Sequence, residues 1–156
     1  MFTVKQVAAR NLVGFHWIGP WEETVPRGFE SLSRWTRDHQ LQGEKLAVYY
    51  DDPDQVPADR LRCDTAIAVG DNFVLPAGSE GARLITLPGG LYAVGLAEIE
   101  NNAFFEAWEQ LFDQVEADAR YRLTGKPCYE RYLHEGEQSG IWVLEMLIPV
   151  TQIQES

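Results

Sequence analysis

Gly140-Ile141-Trp142-Val143-Leu144-Glu145-Met146-Leu147-Ile148-Pro149-Val150 is an apolar run with a single carboxylate at its centre. Alternation along a strand sends Trp142, Leu144, Met146, Ile148 and Val150 to one face, and Ile141, Val143, Glu145 and Leu147 to the other. Both sets are apolar, so both faces of this strand are expected to be covered. Glu145 then lies where an ion is costly unless a partner stands beside it. An internal Arg, Lys or hydroxyl meets that need, and so does a cationic ligand. The residues leave both readings open.

A similar strand recurs 81 positions earlier, where Cys63-Asp64-Thr65-Ala66-Ile67-Ala68-Val69 lies over Leu144-Glu145-Met146-Leu147-Ile148-Pro149-Val150. Asp64 then matches Glu145, and at the same shift Val13-Gly14 matches Val94-Gly95. Two amphipathic stretches fit the shift as well. In residues 22–39, Val25, Phe29, Leu32 and Trp35 form one apolar stripe, with Trp35 read as a core aromatic. In residues 103–120, Phe104, Trp108, Leu111, Phe112 and Val115 form another. Each half reads strand, helix, strand, strand.

The expected fold is therefore α+β. It consists of tandem duplicated strand-helix-strand-strand units with pseudo-twofold symmetry, an antiparallel sheet, two helices and a central groove. The whole chain, 1–156, makes one domain, with repeat one at about 2–70 and repeat two at about 82–151. A lone unit covers its sheet on one face only, and joining two leaves a groove of the kind ligands use. Asp64 and Glu145 would face that groove symmetrically. Glu145 is the stronger ligand candidate, because Arg62 is a same-face neighbour of Asp64 in a regular strand.

Extended structure is expected over residues 2–18, with Phe15 and Trp17 on one side, until Gly19-Pro20 breaks it. Leu46–Tyr50 and Leu61–Val69 read as strands separated by the turn signal Asp51-Asp52-Pro53-Asp54. That turn lacks the ordered acidic pattern and the distal Glu of a calcium loop. Asp71–Gly81 reads as a linker. Arg83–Leu87, Leu91–Ala97 and Cys128–Leu133 read as strands, His134–Gly140 as a polar turn and Gln152–Ser156 as a polar tail.

Thirteen Lys and Arg against 24 Asp and Glu give a net charge of −11. Such a surface repels nucleic-acid phosphates and attracts cations or basic proteins, so direct nucleic-acid binding is not expected. On the second helix Glu106, Glu109, Asp113 and Glu116 form an acidic stripe beside the apolar one. It is either an ordinary solvated face or a landing site for a basic partner. Two cysteines, Cys63 and Cys128, have no metal or redox spacing, and His16, His39 and His134 are scattered. No metal and no cofactor is expected. The N-terminus has no secretory signal pattern and no apolar run is long enough to span a bilayer, which points to the cytoplasm and to no membrane partner.

Five segments together resemble the bacterial DNA gyrase inhibitor SbmC (GyrI-like) family. They are Val13-Gly14-Phe15-His16-Trp17-Ile18-Gly19-Pro20-Trp21-Glu22, Val48-Tyr49-Tyr50-Asp51-Asp52-Pro53-Asp54, Leu61-Arg62-Cys63-Asp64-Thr65, Lys126-Pro127-Cys128-Tyr129-Glu130 and Trp142-Val143-Leu144-Glu145-Met146. The resemblance implies an SHS2-type duplication and kinship with the effector-binding domains of multidrug-sensing transcription regulators. It also implies a groove carboxylate at Glu145 walled by Trp17, Tyr132 and Trp142, meeting cationic apolar compounds. Its functional implication is inhibition of gyrase supercoiling, with protection against gyrase-directed toxins. Gly14 already lies in the first strand, so a stand-alone role is expected rather than transcription regulation. Some relatives of this fold are thought to hydrolyse reactive electrophiles with a groove Glu as base. The sequence carries no nucleophile–base constellation, metal motif or phosphate loop, so binding is expected rather than catalysis.

Overall fold

The computed structural model describes residues 1–135 and 139–153. Along these the chain forms β1 (Thr3–Val7), β2 (Arg10–Ile18), α1 (Trp21–Asp38), β3 (Lys45–Tyr49), β4 (Arg62–Val69), β5 (Arg83–Leu87), β6 (Gly90–Glu100), α2 (Phe104–Glu116), β7 (Tyr121–Leu123), β8 (Cys128–His134) and β9 (Ile141–Gln152). The class is α+β with antiparallel pairing, as the sequence predicts. Residues 136–138 of the expected polar turn and 154–156 of the expected tail lie outside the described residues. Gln152, read as tail, is the last residue of β9. The short strand β7 had no counterpart in the sequence reading, which ran the second helix through residue 120; α2 stops at Glu116. No described helix is long and apolar enough to cross a membrane.

Two compact units emerge, one from Ala9–Pro88 and one from Met1–Ala8 with Gly89–Ser156. In the Ala9–Pro88 unit the strands run in the order β3-β4-β2-β5, all antiparallel. Val13 and Ile67 on the sheet meet Leu32 and Trp35 of α1, and Phe15, Phe29 and Val69 pack around them. The inward line of α1 runs through Thr24, Gly28, Leu32 and Trp35. Counting apolar residues alone misses the first two. Gly28 is needed there because a Cβ would stand 2.5 Å from Thr65 Cγ2 and 2.7 Å from Trp17 Nε1. The segment read as a linker is folded onto this core. Phe73 and Leu75 pack against it, Trp35 Nε1 donates to Ser79 Oγ at 3.1 Å, and Asn11 Nδ2 donates to Asp71 at 2.8 Å.

In the other unit the order is β1-β6-β9-β8, again antiparallel, with β7 on the end of β9. The core holds Leu144, Met146, Ile148 and Val150 of β9 against Leu111 and Val115 of α2, with Trp142 packed beside them. This is the face that alternation assigns. The constant shift of the sequence repeat fails at one point. Gly95 points at α2, since a Cβ there would be 3.0 Å from Leu111 Cδ1. Gly14 lies between Val13 and Phe15, which both pack toward α1, so it points the other way. A one-residue offset reverses the face of a whole strand, so Val13-Gly14 and Val94-Gly95 are not equivalent positions.

Two measurements check this packing. Gly28→Ala is expected to lose about 2 kcal/mol in urea unfolding, although Ala gains roughly 1 kcal/mol of helix propensity, while Gly70→Ala, where a Cβ meets nothing within 4 Å, stays within about 0.5 kcal/mol. The second concerns Cys128, whose thiol burial pushes up to about 12. The folded protein holds that proton more tightly than the unfolded chain, so the stabilisation is complete below pH 9 and is lost as pH rises toward 12. Unfolding free energy should fall between pH 9 and 10 with a slope of at most about 1.4 kcal/mol per pH unit, and Cys128→Ala should flatten that slope.

Candidate functional site

Among the described residues, three carboxylates on strands, Glu130, Glu145 and Asp64, are buried or half-buried, and each has a different environment. Glu130 on β8 is fully buried. Its Oε2 accepts from the Trp108 indole at 2.7 Å and its Oε1 from the Tyr132 hydroxyl at 2.7 Å. Glu130 and Tyr132 are two apart on one strand, so they share the face that α2 covers, and Trp108 comes down from α2. An aromatic chain continues from there: Tyr132 meets Trp142 edge-on at 5.8 Å, and Trp142 meets Phe104 at 6.0 Å. Hydrogen bonds from an indole and a phenol compensate part of the cost of removing a carboxylate from water. The aromatic faces beside it attract cations through their quadrupoles.

Glu145 lies elsewhere. In the β8–β9 register it stands opposite Arg131, while Tyr132 stands opposite Leu144. Glu145 therefore points to the sheet face away from α2, and its Oε1 accepts from Arg131 Nε at 2.8 Å and from Nη2 at 2.5 Å. The internal partner is one of the two readings left open by the sequence. The expectation that Tyr132 and Trp142 wall Glu145 is not met, because strand parity puts both on the face that α2 covers, opposite to Glu145.

Asp64 in the Ala9–Pro88 unit is fully buried. Oδ1 accepts from His16 Nδ1 at 2.7 Å and from Arg83 Nη2 at 3.3 Å, and Oδ2 accepts from the Tyr50 hydroxyl. Burial and the Asp64 carboxylate together push the Tyr50 phenol well above its usual range. Arg62, expected beside Asp64, turns out to Asp51, with contacts of 2.7 and 3.1 Å. That guanidinium holds the Asp51 carboxyl below its ordinary range. Asp64 is thus the more enclosed of the two matched carboxylates. Trp17 points to the opposite face of its sheet from Asp64, where its indole donates to Thr65 Oγ1 at 3.2 Å beneath α1.

The outer face of α2 carries Glu106, Glu109, Asp113 and Glu116, all exposed. Among the described residues none of the four makes an ion pair. Phe105, 64% exposed, adjoins them. No group of three or more His, Cys, Asp or Glu among the described residues could hold a metal. Sequence reasoning missed Glu130 and the role of Trp108. The signal was present in Cys128-Tyr129-Glu130-Arg131-Tyr132, where alternation places a carboxylate and a tyrosine on one face of a covered strand.

Comparison with known proteins agrees with this architecture. The family model described as "GyrI-like small molecule binding domain" matches residues 1–151. Relatives named DNA gyrase inhibitor share 43–46% of residues with this chain, among them that of Citrobacter koseri, 46% identical over 150 residues, 96% of this chain and 97% of the relative. Among solved structures, SAV2435 bound to tetraphenylphosphonium superposes with a TM-score of 0.70 at 18% identity, covering 97% of this chain and 94% of that one. The EcmrR C-terminal domain superposes at 0.74 with 13% identity, covering 98% of both. By the family match and the relatives' full-length identity, the chain belongs to the GyrI-like family.

Proposed function

We propose that this protein acts by binding DNA gyrase and lowering its supercoiling activity, and thereby protects the cell against toxins that work through gyrase. The observation that carries the reading is identity of 43–46% over nearly the whole length of relatives named DNA gyrase inhibitor. A net charge of −11 supports a protein partner with a basic surface and argues against direct binding of nucleic acid. Glu106, Glu109, Asp113 and Glu116, exposed along α2, are the contact surface in this reading. The partner is met in the cytoplasm, and the action is binding rather than catalysis.

A second reading concerns a small ligand. Glu130, buried and held by Trp108 and Tyr132 beside Trp142, is a carboxylate suited to a flat or bulky organic cation. In this reading Glu130 replaces Glu145 as the ligand carboxylate, because the Glu145 charge is engaged by Arg131. Trp17 and Asp64 belong to the Ala9–Pro88 unit, and their part in a ligand site is a proposal of its own.

In a supercoiling assay with purified gyrase, inhibition should weaken as salt rises. Reversing the four α2 charges should raise the half-inhibiting concentration about tenfold, ~1.4 kcal/mol of binding. Undiminished inhibition by the reversed variant would remove α2 as the contact surface. Calorimetry with tetraphenylphosphonium should show Glu130→Gln weakening affinity about tenfold and Glu145→Gln less than about twofold. The reverse order would return the role to Glu145.

A further inference from the structure

His16 and Asp64 stand opposite each other where β2 pairs with β4, on the sheet face turned away from α1. They lie 48 positions apart in the chain, so no local motif announces the pair. Asp64 is fully buried and is approached by His16 Nδ1 at 2.7 Å, by Arg83 Nη2 at 3.3 Å and by the Tyr50 hydroxyl. A carboxylate between such groups accepts from all of them, so Nδ1 carries the ring proton and Nε2 the lone pair. Nε2 has no hydrogen-bond partner among the described residues, and none of their buried side-chain nitrogens or oxygens lacks one, so Nε2 is open to solvent. One ring nitrogen is thus held by a buried carboxylate while the other faces water, which is how an imidazole is set up as a base.

Arg83 adds a donor. It lies on β5, beyond β2 from Asp64, and its register partner on β2 is Gly14, which has no side chain to block the reach across that strand. Arg83 and His16 both bond Asp64 Oδ1, so the guanidinium lies next to the ring. Arg83 is 51% exposed, and its Nε and Nη1 bond no described residue.

We propose that His16 is a general base that hydrolyses small, neutral, activated acyl compounds such as aryl esters, an activity separate from the action on gyrase and using no part of α2. Water attacks the acyl carbon and gives a proton to His16 Nε2. The carbonyl electron pair moves onto oxygen, where Arg83 stabilises the oxyanion. The oxyanion collapses, the bond from carbon to the leaving oxygen breaks, and that oxygen takes the proton from Nε2. The products are a carboxylic acid and an alcohol or phenol. Asp64 is a positioning residue that fixes the tautomer and orientation of the ring. A net charge of −11 repels anions, which selects neutral substrates.

The test is steady-state hydrolysis of p-nitrophenyl acetate by the full-length protein. Product should exceed protein many times over, at a rate above that of free imidazole at the same histidine concentration. The rate should rise between pH 5 and 8, where imidazoles lose their proton, with Asp64, Arg83, Tyr50 and the Arg62-paired Asp51 as the charged or titratable groups around the ring. It should fall in heavy water, as proton transfer to a base requires, and this is read on the unaltered protein. His16→Gln should lower kcat at least about tenfold, and Arg83→Gln at least about threefold. Asp64→Asn should lower kcat with KM kept within about twofold. His39→Gln should leave the rate unchanged. A single burst of product, a rate no higher than that of free imidazole, an equal rate in heavy water, or an undiminished rate in His16→Gln or Arg83→Gln each overturns the proposal.

Discussion

Strand β9 is paired on both edges, with β6 along one side and with β8 and β7 along the other, and it is covered over much of both faces. That double constraint governs its unit. A strand held on both edges cannot slip by one residue without reversing every side chain. Its register with β8 then fixes which residues of β8 look toward α2. The buried carboxylate of Glu130, the indole that reaches it and the salt bridge on the other face all follow from that one alignment.

The sequence made much of this legible. The parity of β9, the apolar stripes of both helices and the acidic stripe of α2 were all readable from spacing. So was the order of strands and helices apart from β7, because helical and extended periods differ so plainly. What could not be read was register between strands distant in sequence. Glu145 looked special because its neighbours along the chain are apolar. Its neighbour across the sheet is Arg131, and no inspection of residues 140–150 alone reveals that. The same limit misplaced Arg62, whose partner Asp51 lies across a turn.

The fully buried carboxylates share a pattern that composition conceals. Glu130 and Asp64 both sit on covered strands, and both are held by side chains from elements far away in sequence. Asp64 is surrounded by an imidazole, a guanidinium and a phenol, a closed set of donors that leaves little for a ligand to add. Glu130 is approached by an indole and a phenol among aromatic side chains of its own unit. Similar burial thus goes with a largely polar, ionisable set of partners in one unit and an aromatic one in the other.

The pairing of β1 with β6, rather than with the strand that follows it, bears on how the protein is made. On the ribosome β1 emerges well before its partner, which is made only when residues 90–94 have been added. The segment Ala9–Pro88 contains every strand of its own unit and can close before that. Through this interval β1 is without its native partner. Its exposed Thr3, Lys5 and Gln6 give it the polar, charged edge that discourages pairing with the wrong chain.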